Sequence, residues 1–167
     1  MDVVRMSLVL PLRIDGTRGT QVCLGEQKRG PHKDLLMPPG GKCNDGEPFD
    51  LCARRECTEE IGALIKSLSR PRAVLNVVYE TGDQFRIVVF TSDELNHMPK
   101  ETAAMKPRWY DVTQLPWERM PAADPYWMPI LFGGHPFEAN IRLGTTIKDF
   151  QSMTVRPFLL KNTAASS

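Results

Sequence analysis

The sequence predicts one layered α+β sandwich, in which β-strands surround two helices. Its 167 residues correspond to about one domain, and 41% of them are hydrophobic, which is enough to fill a core. Most apolar residues lie in short runs rich in Val, Ile and Leu that are bounded by turn residues, as in strands. One segment instead shows an apolar repeat of helical spacing after a loop rich in Pro and Gly. No internal repeat suggests a second domain, so we expect a single domain over residues 1–167.

The amino-terminal part is typical of a β-hairpin followed by a long loop. Residues 3–12 are rich in Val, Leu and Met, and residues 15–19 (DGTRG) supply a turn before a second strand at 20–25. Residues 28–41 (KRGPHKDLLMPPGG) are predicted to be a loop because Pro and Gly are so dense there.

The first helix is predicted between Pro48, which suits a first helical turn, and Gly62, which suits a carboxyl-terminal cap. An apolar stripe recurs every four residues between them, formed by Phe49, Ala53, Cys57 and Ile61. This spacing places one face of the helix against a core.

The second half of the chain contains further strand-like runs and one short helix. The predicted strands are residues 73–80, 84–91, 108–112, 141–143 and 145–155. Asp124–Phe132 is predicted to be a helix that ends at a Gly-Gly pair. Residues 161–167 are predicted to be a frayed tail.

Charge and cysteine content narrow the class of function. The 21 basic and 20 acidic side chains give a net charge of +1, which offers no electrostatic reason to expect duplex nucleic acid as a partner. The four cysteines form no CxxC pair, so reduced buried thiols are expected rather than a zinc site. The apolar run at the amino terminus is too short to cross a bilayer and lacks a cleavage-like segment. We therefore expect a cytoplasmic monomer with no membrane association.

One turn of the first helix carries an unusual density of charge. Glu59 and Glu60 fall at about −60° and +40° from Glu56, so three carboxylates share an arc of roughly 100°. Like charges at this spacing destabilise a helix, and a hard divalent cation that prefers oxygen ligands would relieve the repulsion. Taken alone, Glu-x-x-Glu-Glu would usually be interpreted as a merely solvated acidic face.

The residues around this turn favour a metal site over a solvated acidic face. The chain has Gly, five residues, Glu, seven residues, and then Arg-Glu-x-x-Glu-Glu-x-Gly, at Gly41, Glu47, Arg55, Glu56, Glu59, Glu60 and Gly62. This pattern resembles the Nudix box of hydrolases that split a nucleoside diphosphate linked to another group. The resemblance implies a Nudix α/β/α sandwich with a mixed sheet, in which the box helix carries a site for Mg²⁺ or, alternatively, Mn²⁺.

Each residue type in the box has a physical reason. The Gly-Gly pair lets the backbone approach a ligand closely. The glutamates can hold the metal, and Glu59 or Glu56 can accept a proton from the attacking water. Arg55 can fix a glutamate by a bidentate contact, and Glu47 is expected to anchor the loop to the helix.

Similarity to one branch of the family extends along most of the chain. The residues that carry it are 7–10 (SLVL), 28–30 (KRG), Met105-x-Pro107-x-Trp109, Asp124-x-Tyr126-Trp127-x-Pro129 and Thr146-Ile147-x-Asp149. They resemble the MutT-type oxidised purine nucleoside triphosphatases that clean the nucleotide pool. Such enzymes hydrolyse 8-oxo-dGTP or 2-hydroxy-dATP to the monophosphate and pyrophosphate, so the resemblance implies a small nucleotide as substrate.

The resemblance also implies which residues form the site. The carbonyl of Gly40 would join Glu56, Glu59 and Glu60 around the metal. The expected substrate contacts are Ser7, Gln27, Met37, Gly41, Lys42, Asp124 and Trp127. Asp124 would bind a purine edge, with a helix cap as its alternative role, and Trp127 suits the core as well as a base platform.

The expected base pocket departs from the family pattern. Met37 stands where the family has a base-reading Asn, Pro31 where it has a Phe, and Pro121 where it has a stacking Trp. Ala123 leaves Asp124 without its usual acidic neighbour. The metal chemistry is thus kept while the recognition of the base is remodelled.

Residues expected near the phosphates and the metal also depart from the family pattern. Gln27 stands where the family has a Lys, and Ala104 replaces a further acidic residue, with Glu101 three positions away. These departures leave two alternatives open. One is a Nudix hydrolase acting on ADP-ribose, dinucleoside polyphosphates, capped RNA ends or diphosphoinositol phosphates. The other is a nucleotide-binding module that has lost hydrolysis.

Overall fold

The computed structural model describes residues 2–17 and 19–158, and the structural statements below refer to these residues. Its helices are α1 (Phe49–Ile61) and α2 (Asp124–Phe132), and a 3₁₀ turn spans Trp117–Arg119. The strands are β1 (Val3–Asp15), β2 (Gly19–Gln27), β3 (Leu36–Met37), β4 (Gly40–Lys42), β5 (Ile65–Ser67), β6 (Ala73–Tyr79), β7 (Gln84–Ser92), β8 (Glu94–Leu95), β9 (Met105–Asp111), β10 (Phe137–Leu143) and β11 (Phe150–Pro157).

Strand β1 is the centre of the main sheet. The sheet runs in the order β11-β10-β6-β7-β1-β2-β3, with β4 paired to β1 and β9 paired to β2. Strand β1 runs parallel to β7 over residues 3–11 and antiparallel to β2 over residues 12–15. Strands β6 and β10 are also parallel, whereas β6 and β7 are antiparallel. The sheet is therefore mixed, as the sequence predicts.

The two helices lie on opposite faces of this sheet. Successive side chains of a strand point to opposite faces, and β1 shows which helix each face meets. Leu8 and Leu10 belong to a core cluster that contains Trp127 of α2. Val9, between them, belongs to a second cluster that contains Ala53 of α1. The molecule is an α+β sandwich with one core on each side of the sheet, which confirms the predicted fold class.

Helix α1 ends where its sequence predicts. Its amino-terminal cap is Pro48 and its carboxyl-terminal cap is Gly62, which adopts the left-handed conformation with φ of 66° and donates its N–H to the carbonyl of Thr58. A residue with a Cβ atom is disfavoured in this conformation, so glycine terminates the helix here. The predicted apolar stripe is buried together with Cys52.

Some long elements match their predicted positions, whereas others begin earlier than predicted: β10 begins at Phe137 rather than at residue 141, and β9 begins at Met105 rather than at residue 108. Helix α2 has the predicted bounds, and β6 and β7 differ from theirs by one residue. The predicted loop at residues 28–41 was wrong in part, because β3 lies within it and β4 begins in it. The strand predicted at 145–155 begins only at Phe150, since the N–H of Gly144 bonds to the carbonyl of Asp149 at 2.7 Å and closes a turn. The predicted tail at 161–167 lies outside the described residues.

Candidate active site

The Gly-Gly pair brings the backbone of β4 against both β1 and α1. Gly40 has φ of +156°, and a Cβ atom added there would collide with the carbonyl oxygen of Ser7. A Cβ atom at Gly41 would lie 2.6 Å from the carboxyl carbon of Glu56. A side chain at position 40 would meet the backbone of β1, and one at position 41 would displace the Glu56 carboxylate. The lack of bulk at both positions lets this carboxylate pack directly on β4.

Arg55 organises the acidic face of α1. Its Nε and Nη2 atoms donate to the two carboxylate oxygens of Glu47, each at 2.9 Å, and Nη2 also donates to the carbonyl of Lys42 at 3.0 Å. Its Nη1 atom donates to Glu56 Oε1 at 2.9 Å and lies 3.3 Å from Glu59 Oε2. The guanidinium group thus joins the loop before α1 to two carboxylates of the helix face.

The ion pair with Glu47 has a clear electrostatic effect. Hydrogen bonds from Arg55 and from the N–H of Asn44 lower the pKa of Glu47 to about 2. Glu47 is therefore ionised throughout the neutral range, and its bidentate contact fixes the plane of the guanidinium group.

The three carboxylates of the acidic face differ in their surroundings. Burial, together with the charges of Glu56 and Glu59, raises the pKa of Glu60 to about 8, against a hydrogen bond from the N–H of Gly40 at 3.3 Å. Burial also raises the pKa of Glu56, although Arg55 opposes this effect. The side chain of Glu59 is 57% exposed, whereas that of Glu56 is 15% exposed.

These donors fit a hard divalent cation. They are carboxylate oxygens together with the nearby carbonyl group of Gly40, which is the ligand type that Mg²⁺ and Mn²⁺ prefer. The pKa of Glu60 is raised because its carboxylate is buried beside other carboxylates. A cation bound among these carboxylates would offset that rise.

A cavity of about 510 Å³ opens on the other face of the sheet. Its lining is largely apolar and comes from β1, β6, β7, β10 and α2 and from the loops beside them. Asp124 lies in this lining and is only 5% exposed. Its Oδ1 accepts a hydrogen bond from Trp127 Nε1 at 3.0 Å, and its Oδ2 has no hydrogen-bond partner among the described residues. Burial raises the pKa of Asp124 to about 7, although the Trp127 hydrogen bond and the charge of Lys148 lower it.

A model of the Nudix domain matches residues 7–130 of the chain. The chain belongs to the Nudix family. It is 31% identical over 114 residues to the oxidized purine nucleoside triphosphate hydrolase of Danio rerio, covering 66% of this chain and 71% of that protein. The corresponding enzyme of Mus musculus is 29% identical over 120 residues, covering 69% of this chain and 77% of that protein.

Solved Nudix structures share the fold. A MutT protein of Bacillus halodurans superposes with a TM-score of 0.75 at 20% identity, covering 94% of this chain and all 100% of that one. An Ap4A hydrolase of C. elegans superposes with a TM-score of 0.58 at 16% identity, covering 78% of this chain and 93% of that one. At identities this low, the superpositions establish the shared fold alone.

The structure divides the predicted substrate residues of this Nudix chain into two groups. Met37, Lys42, Asp124 and Trp127 line the cavity. Ser7, Gln27 and Gly41 lie outside its lining, and the Ser7 hydroxyl donates to the carbonyl of Phe49 at 2.7 Å within the core. Asp124 does not cap α2, because Ala123 occupies the cap position. The alternative role of Asp124 as a helix cap is therefore wrong.

The residues at positions where the sequence departs from the expected family pattern lie in two places, the cavity lining and the surface. Pro31, Pro121 and Ala123 line the cavity together with Met37. Glu101 lies on the surface, where its carboxylate accepts a hydrogen bond from Lys28 Nζ at 2.7 Å. Glu101 is thus paired with a cation of the loop that follows β2.

The cysteines are free thiols in the described part of the chain. Cys43, Cys52 and Glu47 place their ligand atoms within 4.8 Å of one another, a proximity that the sequence spacing did not predict. Both oxygens of Glu47 are already bonded to Arg55, so this carboxylate serves the ion pair that positions the acidic face.

Sequence reasoning also missed the loop between β10 and β11. Thr145, Thr146 and Ile147 line the cavity, and Lys148 bonds to the segment that precedes α2. The only signal was Thr146-Ile147-x-Asp149, in which Lys148 occupies the unspecified position.

Among the described residues, no helix is both long and apolar enough to cross a membrane.

Proposed function

We propose that the protein hydrolyses an oxidised purine nucleoside triphosphate, such as 8-oxo-dGTP or 2-hydroxy-dATP, to the monophosphate and pyrophosphate. One observation carries the proposal: the acidic face and the cavity adjoin the same short strand, β4. Arg55, which holds the acidic face, donates to the carbonyl of Lys42 in this strand. The side of the cavity that contains the buried carboxyl of Asp124 is shared with Lys42, since both residues line it. The names of the relatives from Danio rerio and Mus musculus agree with this substrate class.

The acidic face would hold the metal. In this proposal Glu56, Glu59, Glu60 and the carbonyl of Gly40 bind Mg²⁺, with Mn²⁺ as a substitute. The bound ion would neutralise charge that develops on the pyrophosphate leaving group. The residues of the chain do the rest: Arg55 fixes Glu56 through its hydrogen bond at 2.9 Å, and Glu59 or Glu56 accepts the proton of the attacking water.

The cavity would hold the base. A volume of about 510 Å³ is suited to a nucleoside, and its apolar lining favours a flat aromatic ring. The free Oδ2 of Asp124 is the polar group available to a purine edge, and leaving it unpaired would penalise a base without a matching group. Lys42, which lines the cavity next to Gly41, would contact the phosphates.

The test is release of pyrophosphate from oxidised purine triphosphates with Mg²⁺, compared with the same reaction in excess chelator. We expect turnover only with metal, and a loss of at least about 100-fold in kcat for Glu59→Gln or Glu60→Gln. Glu94→Gln is a matched control, since this exposed glutamate pairs with Lys66 away from the site. Turnover without metal, or unchanged turnover in both glutamate variants, would refute the proposal.

A second candidate substrate class is another nucleoside diphosphate linked to a different group. The observation that favours it is the set of residues that replace the usual base contacts, since Met37, Pro31 and Pro121 all line the cavity. A panel at equal concentration, containing ADP-ribose, a dinucleoside polyphosphate, capped RNA and a diphosphoinositol phosphate, would rank these substrates against oxidised purine triphosphates. Tight binding of a nucleotide without any turnover would instead identify a binding module.

The proposed setting is a cytoplasmic monomer. Elution at the size of one 18.8 kDa chain, with and without nucleotide, is the expected result of size-exclusion chromatography.

A further inference from the structure

Three side chains that can bind a metal meet where the loop after β4 joins the start of α1. The thiols of Cys43 and Cys52 and a carboxylate oxygen of Glu47 all lie within 4.8 Å of one another. In a tetrahedral Zn²⁺ site such ligand atoms are about 3.6 to 3.8 Å apart, since Zn–S and Zn–O bonds are about 2.3 and 2.1 Å long. Small movements of these side chains would therefore bring all three into contact with one ion.

Backbone hydrogen bonds hold the two segments that carry the thiols. The N–H of Cys43 donates to the carbonyl of Arg5 at 2.9 Å, which ties the loop to β1. The N–H of Cys52 donates to the carbonyl of Pro48 at 2.9 Å, in the first turn of α1. Cys52 is buried, whereas Cys43 is partly exposed. An ion can thus approach from the side of Cys43, and the backbone of both ligands is already in place.

Glu47 keeps the capacity for one further partner. Its Oε1 accepts hydrogen bonds from Arg55 Nη2 at 2.9 Å and from the N–H of Asn44 at 3.0 Å. Its Oε2 accepts one from Arg55 Nε at 2.9 Å. A carboxylate offers about four lone-pair positions, so one position on Oε2 is left after these three bonds. A cation at that position would not have to break the ion pair between Glu47 and Arg55.

The chemistry of this cluster differs from that of the acidic face. Two sulfurs and one carboxylate favour Zn²⁺ or another thiophilic divalent ion over Mg²⁺, which prefers oxygen alone. Burial raises the pKa of the Cys52 thiol to about 12, so this thiol is protonated at neutral pH. Binding of one ion therefore converts two thiols to thiolates and releases their two protons to the solvent.

We propose that Cys43, Cys52 and Glu47 form a second cation site, which takes Zn²⁺ or a similar thiophilic divalent ion and is separate from the oxygen-lined acidic face. Three protein ligands leave the fourth position to water. The spacing of the cysteines led us to expect no zinc site, but here the fold, rather than a CxxC pair, brings the thiols together. This site does not depend on the proposed function.

The first readout is the ultraviolet charge-transfer band of a Cd²⁺–thiolate bond, which the oxygen ligands of the acidic face cannot produce. Cd²⁺ is added to the full chain in a phosphine reductant with Mg²⁺ in excess. We expect a saturable band in the wild type and an apparent affinity at least about 100-fold weaker in Cys43→Ala and in Cys52→Ala. Cys57→Ala is the matched control, because Cys57 lies in the same helix outside the cluster and should leave the band unchanged.

Thermal unfolding checks that each variant folds. If Cys52→Ala does not fold, Cys43→Ala decides, since its position is partly exposed. A wild type without the band, a band of equal affinity in Cys43→Ala, or an equal loss in Cys57→Ala would overturn the inference.

The second readout is anomalous scattering from a crystal grown with Zn²⁺. We expect a peak about 2.3 Å from the Sγ atoms of Cys43 and Cys52 and about 2.1 Å from an oxygen of Glu47. Zn²⁺ found among Glu56, Glu59 and Glu60 alone would contradict the second site. A protein that binds Zn²⁺ through both thiols but hydrolyses no nucleotide would support this inference and refute the proposed function.

Discussion

At the scale of single residues, Arg55 connects the preceding loop to helix α1. Its guanidinium group bonds to Glu47, Glu56 and the carbonyl of Lys42 at the same time. A planar group with five donors can satisfy these acceptors together, and an ammonium group cannot reproduce the bidentate contact. The geometry of the acidic face therefore depends on one side chain that is not among the proposed metal ligands.

Replacing this side chain tests that dependence. We expect Arg55→Lys to lower kcat about tenfold to 100-fold, because Glu56 loses the contact that fixes its rotamer. The loss should be accompanied by a weaker apparent affinity for Mg²⁺. Arg54→Lys is the control, since Arg54 lies next to it in α1 and its guanidinium group donates to the carbonyl of Ile65 at 2.8 Å. Equal kcat values in the two variants would show that Arg55 does not organise the site.

The contrast between Glu56 and Asp124 also belongs to this scale. Both carboxyls have a pKa raised by burial, but Glu56 bonds to an arginine and Asp124 to an indole N–H. The spacing of the Nudix box was enough to bring Arg55, Glu56, Glu59 and Glu60 together, since all four lie on one helix whose geometry is fixed. Lys148 was not predictable, because its contact with the segment before α2 depends on how distant loops meet.

At the scale of elements, the site depends on the short strand β4. It has three residues and pairs with β1 while touching α1 through Gly41. Such a short segment has no periodic pattern, so the sequence predicted only a loop there. The long elements were predictable because helical and strand periodicity extends over many residues, and β3, β5 and β8 were missed for the same reason as β4.

A methyl group added to β4 should damage the site more than the fold. In Gly41→Ala the new Cβ atom would lie 2.6 Å from the carboxyl carbon of Glu56, and the end of a flexible side chain can move away. We expect kcat to fall about tenfold or more, as for other changes around metal ligands, with a melting temperature close to that of the wild type. Gly16→Ala is the control, because nothing lies within 4 Å of its added Cβ atom. A large loss of stability with normal kcat would contradict this account.

At the scale of the whole molecule, the fold keeps two protonatable carboxyls away from water. Asp124 has a folded pKa of about 7 against the ordinary 3.8, and Glu60 has one of about 8 against 4.5. A carboxyl with a raised folded pKa binds its proton more tightly in the folded state. Its contribution to stability is present below about pH 4 and is lost as the pH rises through the folded pKa.

The metal-free protein should therefore become less stable as the pH rises from about 4 to about 8, unless general acid unfolding intervenes at the low end. Asp124→Asn should reduce this dependence by up to about 4 kcal/mol and should leave the variant more stable than the wild type at about pH 8. Urea unfolding at several pH values, with chelator present, measures the effect. Parallel stability curves for the two proteins would mean that Asp124 is not a buried acid.

The position of the two helices on opposite faces of the sheet has a consequence for how such a protein can diverge. In the proposed function, the residues that would select the ligand lie on the α2 side, and those that would bring about bond cleavage lie on the α1 side. Changes at well-separated positions usually combine additively, so the lining of the cavity can drift without disturbing the acidic turn. One hydrolytic chemistry could thus serve different ligands, and Met37, Pro31 and Pro121, which differ from the pattern that the resemblance implies, all lie in the lining of the cavity.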